Sequence, residues 1–319
     1  MTITFLQAGN GDCIHIEEDG RHVIIDSGEK CQELVSLVDS IRTANQKIDL
    51  LVISHYDSDH IKEIIRILKG LEVEERKRLV NKVWFNATKL GYKGKEQFLS
   101  AHDATEFAEL LLEANINWIS ELRTGIVESI SENLSLEVID GGEIYKSETE
   151  DQFMGTEKVD WRTPLYELEQ YLDDDAIDNS ETNAQSVILI AHFKESSILL
   201  PGDAIPEKLS NALEEYRKGN VAHFELVKLP HHGSYMNITK EILGKIECSD
   251  YVISTDGSIH FHPDKKMILK LIKWGKREEG KKLTFHMNYY DVLSKQMNIS
   301  ELEKRQYDFD YDDRRTFEF

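Results

Sequence analysis

The chain has 319 residues, which is enough to bury a large core, and its 40% apolar content is ordinary for a soluble globular protein. Its net charge of −21 disfavours extended contact with nucleic acid or an anionic membrane, because lysine and arginine supply most non-specific affinity for phosphates. A small phosphorylated substrate is still compatible with this charge. The apolar runs are too short to span a bilayer, the N-terminal segment lacks secretory-signal features, and three widely spaced cysteines indicate free thiols in the cytoplasm.

The N-terminal segment has the pattern of a β-hairpin, a helix and a buried strand. Apolar and alternating residues predict strands on both sides of a glycine-containing turn over residues 9–12. Asp19 and Gly20 form a typical hairpin turn before a strand over residues 22–25. A helix then leads to a strand over residues 48–53, which we expect to be buried.

The strand over residues 48–53 ends in a loop with four potential metal ligands, His55, Asp57, Asp59 and His60. Neighbouring carboxylates repel one another and cost free energy to desolvate unless a cation lies among them. Apolar residues at helical spacing follow, so the loop joins a strand to a helix. We therefore expect this loop to provide half of a two-metal hydrolytic site.

The middle of the chain changes composition. Residues 62–120 are predicted to be mainly helical, with a short strand over residues 83–85, and another strand is expected over residues 134–139. From residue 143 to about residue 183, acidic residues far outnumber basic ones. We interpret this segment as a solvated, partly helical acidic insertion, with a lid over the site as the alternative.

Three further groups of ligand-type residues follow predicted strands in the second half of the chain. Asp203 comes after a strand that ends in Pro-Gly, His231 and His232 share one turn, and His262 precedes a proline. With the first loop they supply three carboxylates and up to five imidazoles. Two metal ions roughly 3.5–4 Å apart suit hydrolysis.

The C-terminal part continues with a helix over residues 265–274 and a strand over residues 283–287, and its tail alternates aromatic and acidic residues. The domain interpretation is a hydrolase domain over residues 1–265 and a C-terminal extension over residues 266–319. Core packing or an oligomer contact is the expected role of the tail aromatics.

These motifs, in this order, resemble the metallo-β-lactamase superfamily and, within it, the ComEC-type branch, the soluble domain of DNA-uptake proteins and its stand-alone relatives. The superfamily loop usually reads HxHxDH, whereas Asp57 occupies the second position here, as in that branch. The resemblance covers about residues 1–265. Its other motifs are AGNGD at residues 8–12, IDSG at residues 25–28, Asn183 ahead of SVIL, LLPGD at residues 199–203, LPHHGS at residues 229–234 and HP at residues 262–263.

The resemblance implies a four-layer αββα sandwich with two divalent metal ions at its rim. By the same resemblance, His55 and Asp57 would bind one metal ion, and Asp59 and His60 would bind the other. Asp203 would bridge the two ions.

The remaining roles also come from the resemblance. His231 would complete one metal's ligand set, and His232 beside it would be a ligand or the proton donor to the leaving group. His262 is a further candidate ligand, although this residue and one of the two adjacent histidines could instead pack or form hydrogen bonds. Three residues would support the ligands from behind: Asp26, Asn183 and Ser234.

Asp57 also bears on the metal, because an additional carboxylate favours oxygen-preferring ions such as Mn²⁺, whereas the imidazoles suit Zn²⁺. The leading hypothesis is a phosphodiesterase or nuclease in which a metal-bridged hydroxide attacks phosphorus and Asp59 orients it. His232 or a metal-bound water would protonate the leaving oxygen. The substrate would be a phosphodiester or another small anion.

Two alternative functions stay open. One is the hydrolysis of a small ester, thioester or lactone, since one fold can serve several chemistries. The other is a subunit of a multi-protein defence or signalling complex, which would dock a partner through the acidic insertion or the tail. The tail is also compatible with a homodimer contact, and no membrane association is expected.

Overall fold

The structure of the chain is a computed structural model that describes residues 1–86, 99–142, 159–173 and 176–319. The first part of the predicted acidic insertion, residues 143–158, therefore lies outside the described residues. So do residues 87–98 within the stretch that is predicted to be mainly helical.

The described residues form seventeen strands and ten α-helices, and none of these helices is long and apolar enough to cross a membrane. The strands are β1 (Thr2–Phe5), β2 (Ile14–Glu18), β3 (Arg21–Ile25), β4 (Ile48–Val52), β5 (Lys82–Trp84), β6 (Asn117–Ile119), β7 (Val127–Ser129), β8 (Leu134–Asp140), β9 (Ile188–Phe193), β10 (Ser196–Leu200), β11 (Ala222–His223), β12 (Leu226–Lys228), β13 (Ile246–Glu247), β14 (Asp250–Ile253), β15 (Leu283–Met287), β16 (Phe309–Asp312) and β17 (Thr316–Glu318). The helices are α1 (Gln32–Thr43), α2 (Ser58–Lys69), α3 (Val73–Leu79), α4 (Leu99–Glu113), α5 (Leu165–Leu168), α6 (Pro206–Arg217), α7 (Lys240–Lys245), α8 (Lys265–Trp274), α9 (Tyr290–Met297) and α10 (Glu301–Tyr307).

Two mixed sheets form the central layers. The first has seven strands in the order β17-β1-β2-β3-β4-β5-β6, and the second has eight in the order β16-β15-β14-β12-β10-β9-β8-β7. In the first sheet the hairpin strands pair antiparallel up to β3, and β3 to β6 are parallel. The second sheet repeats this plan, with β7 to β10 antiparallel and β10 to β16 parallel.

The buried apolar residues form three clusters that correspond to the interfaces of a four-layer structure. One cluster fills the space between the two sheets and includes Phe5 and Ile198. A second joins the first sheet to α1, α2 and α4, for example through Ile64. A third joins the second sheet to α6, α7 and α8, for example through Leu269. The predicted αββα sandwich is therefore confirmed, and the three cysteines are buried free thiols.

The local sequence explains why these strands lie inside. The last three residues of β4, Leu50–Val52, are all buried, as expected for a parallel strand that is covered on both faces. β2 alternates buried and partly exposed residues, and Asp19 and Gly20 take positive φ values of 49° and 73° in the tight turn to β3.

The carboxyl ends of the parallel strands of both sheets meet at one edge of the sandwich. The loop after β3 begins with Asp26, and residues 54–60 form the end of the loop after β4 and the first turn of α2. In the second sheet, the loops after β10, β12 and β14 contain Asp203, the turn Pro230–Gly233 and Ser254. Loops at this edge can therefore bring distant residues together on a rigid support.

The predicted C-terminal extension lies within the two central sheets. β15 and β16 extend the second sheet, and β17 pairs with β1 at the edge of the first sheet. Phe309 and Phe317 are buried in the core clusters. Residues 266–319 thus complete both layers, and two tail aromatics pack in the core.

The described part of the acidic segment packs against the second sheet's helical layer. Trp161, Leu165, Leu168 and Leu172 are buried in the same cluster as α8. The Trp161 indole donates a hydrogen bond of 2.7 Å to the backbone oxygen of Pro263. The stretch is partly helical, as expected, with exposed polar side chains, but its spaced apolar residues anchor it to the core.

Candidate metal centre

One buried carboxylate, Asp26, organises the loop that follows β4. Its Oδ1 accepts a 2.7 Å hydrogen bond from the backbone N–H of Ser54, and its Oδ2 accepts another of 2.7 Å from the Ser54 hydroxyl. The same Oδ2 lies 2.9 Å from Nδ1 of His60. Because Nδ1 donates to this carboxylate, Nε2 is the atom of His60 that remains for a metal ion.

His55 is fixed in a similar way. Its Nδ1 lies 3.1 Å from the Ser54 hydroxyl oxygen, and its Nε2 is buried without a hydrogen-bond partner. The rings of His55 and His60 are 4.1 Å apart. Asp57, directly before α2, is the most exposed of the predicted ligands in this loop, and its Oδ2 lies 3.6 Å from Nε2 of His55.

Asp203 brings the second sheet into the same cluster. It follows Gly202, which has a φ of 57°, and a Cβ atom added at Gly202 would lie 3.2 Å from Cβ of Ser54, so a side chain has little room there. Oδ2 of Asp203 lies 3.4 Å from Nε2 of His60 and 3.3 Å from Nε2 of His232. The loops after β4 and β10 therefore meet at this carboxylate.

His231 and His232 occupy a turn in which both residues have positive φ values, 46° and 55°. Such values are unfavourable for residues other than glycine, and two in succession indicate strain of the kind that recurs at functional sites. The turn gives the two imidazoles different surroundings. Nδ1 of His232 donates to the backbone oxygen of Ser254 at 2.9 Å, and its Nε2 lies 3.5 Å from Oδ2 of Asp59.

His231 lies at the margin of this cluster. Its side chain is 21% exposed, compared with 2% for His232, and its Nε2 is 3.9 Å from Oδ2 of Asp203. Its Nδ1 lies 3.2 Å from the amide oxygen of Asn237 and 3.3 Å from Oδ2 of Asp178. Asn183 donates to that same Asp178 oxygen at 2.7 Å, and its amide nitrogen lies 3.4 Å from Nδ1 of His231, so it supports this side of the imidazole.

Two predicted site residues lie outside the central group. His262 is buried with its ring 5.2 Å from that of His231, but its Nδ1 has no hydrogen-bond partner and lies 3.3 Å from Asp264. The hydroxyl of Ser234 accepts from the backbone N–H of Met236, so it caps the next turn. Neither side chain is shown in contact with the convergent Nε2 atoms.

The structure adds three residues to the predicted site: Asp178 and Lys228, which lie in none of the quoted motifs, and Asp12, which ends the AGNGD motif but has no predicted role. Asp12 is buried against His232, with 3.6 Å between Oδ1 and Nδ1. Lys228 is buried between Asp12 and Asp203. Asp178 comes from the acidic segment. Their sequence neighbourhoods hold only a weak signal, since a lysine that precedes a histidine turn is usually a surface residue.

The central side chains fit a divalent cation. Nε2 of His55, of His60 and of His232 are all buried without a hydrogen-bond partner. Ligand atoms of His55, His60 and Asp203 lie within 4.8 Å of one another, as do those of Asp59, His60 and His232. Unpartnered buried nitrogen atoms are costly, and a shared cation removes that cost. Imidazole and carboxylate together suit Zn²⁺ and Mn²⁺.

The electrostatics also favour cations at this position. Burial alone would raise the pKa of Asp203 and of Asp59, but the neighbouring imidazoles outweigh it and hold both pKa values below the usual range. Burial would lower the pKa of His60 and of His232, yet Asp203 and other nearby carboxylates raise both. The carboxylates are thus ionised at neutral pH and attract positive charge to the Nε2 atoms.

The chain is similar in sequence and in structure to known proteins. Residues 6–108 match the family model of the metallo-beta-lactamase superfamily, a segment that includes the loop after β4. The match supports the superfamily assignment that the motifs indicate. No curated protein sequence matches the chain.

Solved structures with a similar arrangement have low sequence identity. The metallo-beta-lactamase fold protein YhfI from Bacillus subtilis is 9% identical, with 99% of each chain covered and a TM-score of 0.45. Zn²⁺-bound PqqB from Methylobacterium extorquens is 11% identical, with 100% of each chain covered and a TM-score of 0.46. The short form of human tRNase Z is 12% identical and covers 72% of this chain and 77% of its own, with a TM-score of 0.36. These similarities carry no information about the substrate.

Proposed function

We propose that the chain is a metal-dependent hydrolase that cleaves phosphodiester bonds and uses two divalent metal ions, Zn²⁺ or Mn²⁺. The observation that carries this proposal is the convergence of three buried, unpartnered Nε2 atoms on the carboxylates of Asp59 and Asp203. Folding alone does not favour such a group, because its charges and lone pairs are desolvated without full hydrogen bonding.

The ligand distances suggest how the ions would be shared. His55, His60 and Asp203 would hold one ion, with Asp57 beside His55. The second ion would be held by Asp59 and His232, with Asp203 common to both sets. This proposal moves His60 from the second ion to the first and uses His232 where the motif resemblance placed His231.

Two divalent ions at this position would polarise a phosphoryl oxygen and make water a stronger nucleophile at neutral pH. The chain itself would orient the attacking water through Asp59. Asn10 donates a 3.1 Å hydrogen bond to Oδ2 of Asp59 and thereby fixes this carboxylate. The Asp59 side chain is nevertheless 25% exposed. An ionised, partly exposed carboxylate can accept a hydrogen bond from water and hold it for attack.

His231 is the better placed of the two adjacent histidines to protonate the leaving oxygen. Its side chain reaches solvent, whereas His232 is enclosed by carboxylates. Asp178 and Asn237 fix its Nδ1, so its Nε2 is the atom available to a bound substrate. Burial would lower the pKa of His231, but Asp203 and Asp178 outweigh it and raise the pKa.

The preference for a phosphodiester rests on the ligand chemistry and on the motif resemblance. Asp57 adds an oxygen ligand to the set, and oxygen-rich sites bind hard ions that pair well with phosphoryl oxygens. The same residue is the feature by which the loop resembles the ComEC-type branch.

The direct test is hydrolysis of bis-p-nitrophenyl phosphate and of DNA by the metal-free protein after addition of Mn²⁺ or Zn²⁺. Asp59→Ala and Asp203→Ala should each lower turnover by about 100-fold or more. Asp250→Asn, at the opposite end of β14, is the control and should retain turnover. Unchanged turnover in Asp59→Ala or Asp203→Ala would remove the assignment. Turnover of lactones or thioesters without phosphodiesters would favour the small-ester alternative.

A further inference from the structure

Lys228 is a fully buried lysine at the end of β12, with 0% exposure. A charged ammonium loses its hydration there, so it is tolerated only when nearby groups replace the lost water. Lysine is also a poor choice for simply filling space at the end of a buried strand, since the neighbouring Leu226 and Val227 fill theirs with apolar atoms. A buried lysine at this position therefore calls for a specific partner.

The partners of Lys228 are residues of the site edge. Its Nζ forms an ion pair with Oδ2 of Asp12 and donates a 3.2 Å hydrogen bond to the backbone oxygen of Gly202. It also lies 3.6 Å from Oδ1 of Asp203. The ammonium thus joins the loop between β1 and β2 to the loop after β10.

These contacts divide the two oxygens of Asp203. Oδ1 faces Lys228, whereas Oδ2 faces Nε2 of His60 and of His232 at 3.4 and 3.3 Å. The other oxygen of Asp12 lies 3.6 Å from Nδ1 of His232. The Lys228 ammonium therefore contacts both Asp203, a candidate metal ligand, and Asp12, which lies beside the candidate ligand His232.

We propose that Lys228 is a positioning residue of the metal centre, whose ammonium holds Oδ1 of Asp203 and the carboxylate of Asp12 so that Oδ2 of Asp203 and His232 face the metal ions. This inference rests on the proposed function. Besides positioning these side chains, Lys228 offsets part of the negative charge of the buried carboxylates in the metal-free chain. Bound divalent ions take over that compensation.

The test compares thermal unfolding of the metal-free protein before and after addition of Mn²⁺. Lys228→Met should unfold about 5–10 °C below wild type without metal, because Asp12 and Asp203 lose their buried partner. Its Mn²⁺-induced rise in Tm should exceed the wild-type rise by several degrees, since the ions then supply all of the compensating charge. Turnover should nevertheless fall about 10- to 100-fold, because Asp203 is no longer fixed.

Matched variants distinguish the role of Lys228 at the metal centre from a general loss of stability on removal of a buried ammonium. Lys270→Met removes another buried ammonium, one that donates to the backbone oxygens of Tyr235 and Ile238, and should show the wild-type rise with Mn²⁺. Lys228→Arg keeps the charge and should stay within a few degrees of the wild-type rise. Lys228→Gln is neutral but keeps a hydrogen-bond donor, so it should fold and should behave like Lys228→Met.

The outcomes are distinguishable. A Mn²⁺-induced rise in Lys228→Met and Lys228→Gln equal to that of wild type would overturn the charge compensation, and wild-type turnover in both variants would overturn the positioning role; either result leaves the metal centre intact. Failure of both neutral variants to fold even with Mn²⁺ present would also overturn the charge compensation, because the ions should replace the missing charge. No rise in wild type would remove the metal centre, and with it both proposals.

Discussion

At the scale of single residues, hydrogen bonds to the Nδ1 atoms orient the candidate histidine ligands. Asp26 binds Nδ1 of His60, and the Ser254 carbonyl binds Nδ1 of His232. Each interaction leaves Nε2 for the cluster and fixes the ring at the same time. His231 has a different set of neighbours, Asp178 and Asn237, although it is adjacent in sequence to His232. Adjacent histidines can therefore have different roles.

His232→Ala and His231→Ala should have different effects, the first on metal affinity and the second on kcat. His232→Ala removes a nitrogen that lies 3.3 Å from Asp203 and should weaken Mn²⁺ affinity by more than about 10-fold. His231→Ala should keep most of the bound metal and lower kcat by about 100-fold or more, because the leaving group loses its proton donor. Metal analysis after dialysis and steady-state kinetics measure the two effects. The opposite pattern would restore the assignment that the motif resemblance implies.

At this scale the sequence predicts the candidate ligands but not how the fold arranges them. His55, Asp59, His60 and Asp203 can be recognised because ligand-type residues follow predicted strands. Which histidine of an adjacent pair faces the cluster depends on backbone φ angles that the sequence does not reveal. The roles of Asp12, Asp178 and Lys228 are not predicted, because their partners are distant in the chain and only the fold brings them together. Of these three residues, only Asp12 lies in a quoted motif.

At the scale of elements, the turn between β1 and β2 packs directly on the first turn of α2. A Cβ atom at Gly11 would lie 1.7 Å from the backbone oxygen of Asp59, so no side chain fits there. Asn10, its neighbour, donates to Asp59 from the same turn. The AGNGD motif therefore supports the Asp59 turn sterically and through a hydrogen bond.

Gly11→Ala should displace the Asp59 turn. We expect a loss of about 1–3 kcal/mol in the free energy of unfolding and at least about a 10-fold loss in Mn²⁺ affinity. Gly244→Ala is the control, because a Cβ there has no neighbour within 4 Å and alanine favours the helix α7. Chemical denaturation and metal titration measure both variants. Unchanged Mn²⁺ affinity in Gly11→Ala would show that the turn does not position Asp59.

The N-terminus of α8 should make stability depend on pH. Asp160 accepts hydrogen bonds from the backbone N–H groups of Lys265 and Lys266, and burial together with Asp264 raises its pKa to about 6. The folded chain thus binds this proton more tightly than the unfolded chain. The resulting stabilisation is fully present below about pH 4 and is lost as the pH rises through 6.

Asp160→Asn removes this titration and keeps a side-chain oxygen for the helix. Between pH 4.5 and 7.5, wild type should lose about 2 kcal/mol more free energy of unfolding than the variant. Asp39→Asn, at an exposed position on α1, should follow the wild-type curve. Urea unfolding over this pH range is the measurement. Parallel curves for wild type and Asp160→Asn would show that Asp160 has no raised pKa.

At the scale of the whole molecule, the C-terminal residues close both sheets around the common core. β16 pairs with β15, and β17 pairs with β1, so the two ends of the chain are joined in one sheet. Alternation and turn signals predict the N-terminal hairpin and the helix α8 well. They do not predict β16 and β17, because strands of four and three residues are stable only through pairing with distant parts of the chain.

Phe309→Ala should show that the tail is part of the core. Phe309 is fully buried against the second sheet's cluster, so its truncation should cost about 3–5 kcal/mol in the free energy of unfolding. Leu302→Ala, at an exposed position of α10, should change stability by less than about 0.5 kcal/mol. Equal stabilities of the two variants in chemical denaturation would place the tail outside the core.

The metal content of the purified protein tests the central claim most directly. After equilibrium dialysis against Mn²⁺ or Zn²⁺, we expect two ions per chain in wild type. The Asp203→Asn variant should lose most of this metal, because Asp203 lies next to both ligand sets. Wild-type protein without bound metal, or an Asp203→Asn variant with the full wild-type content, would contradict the account.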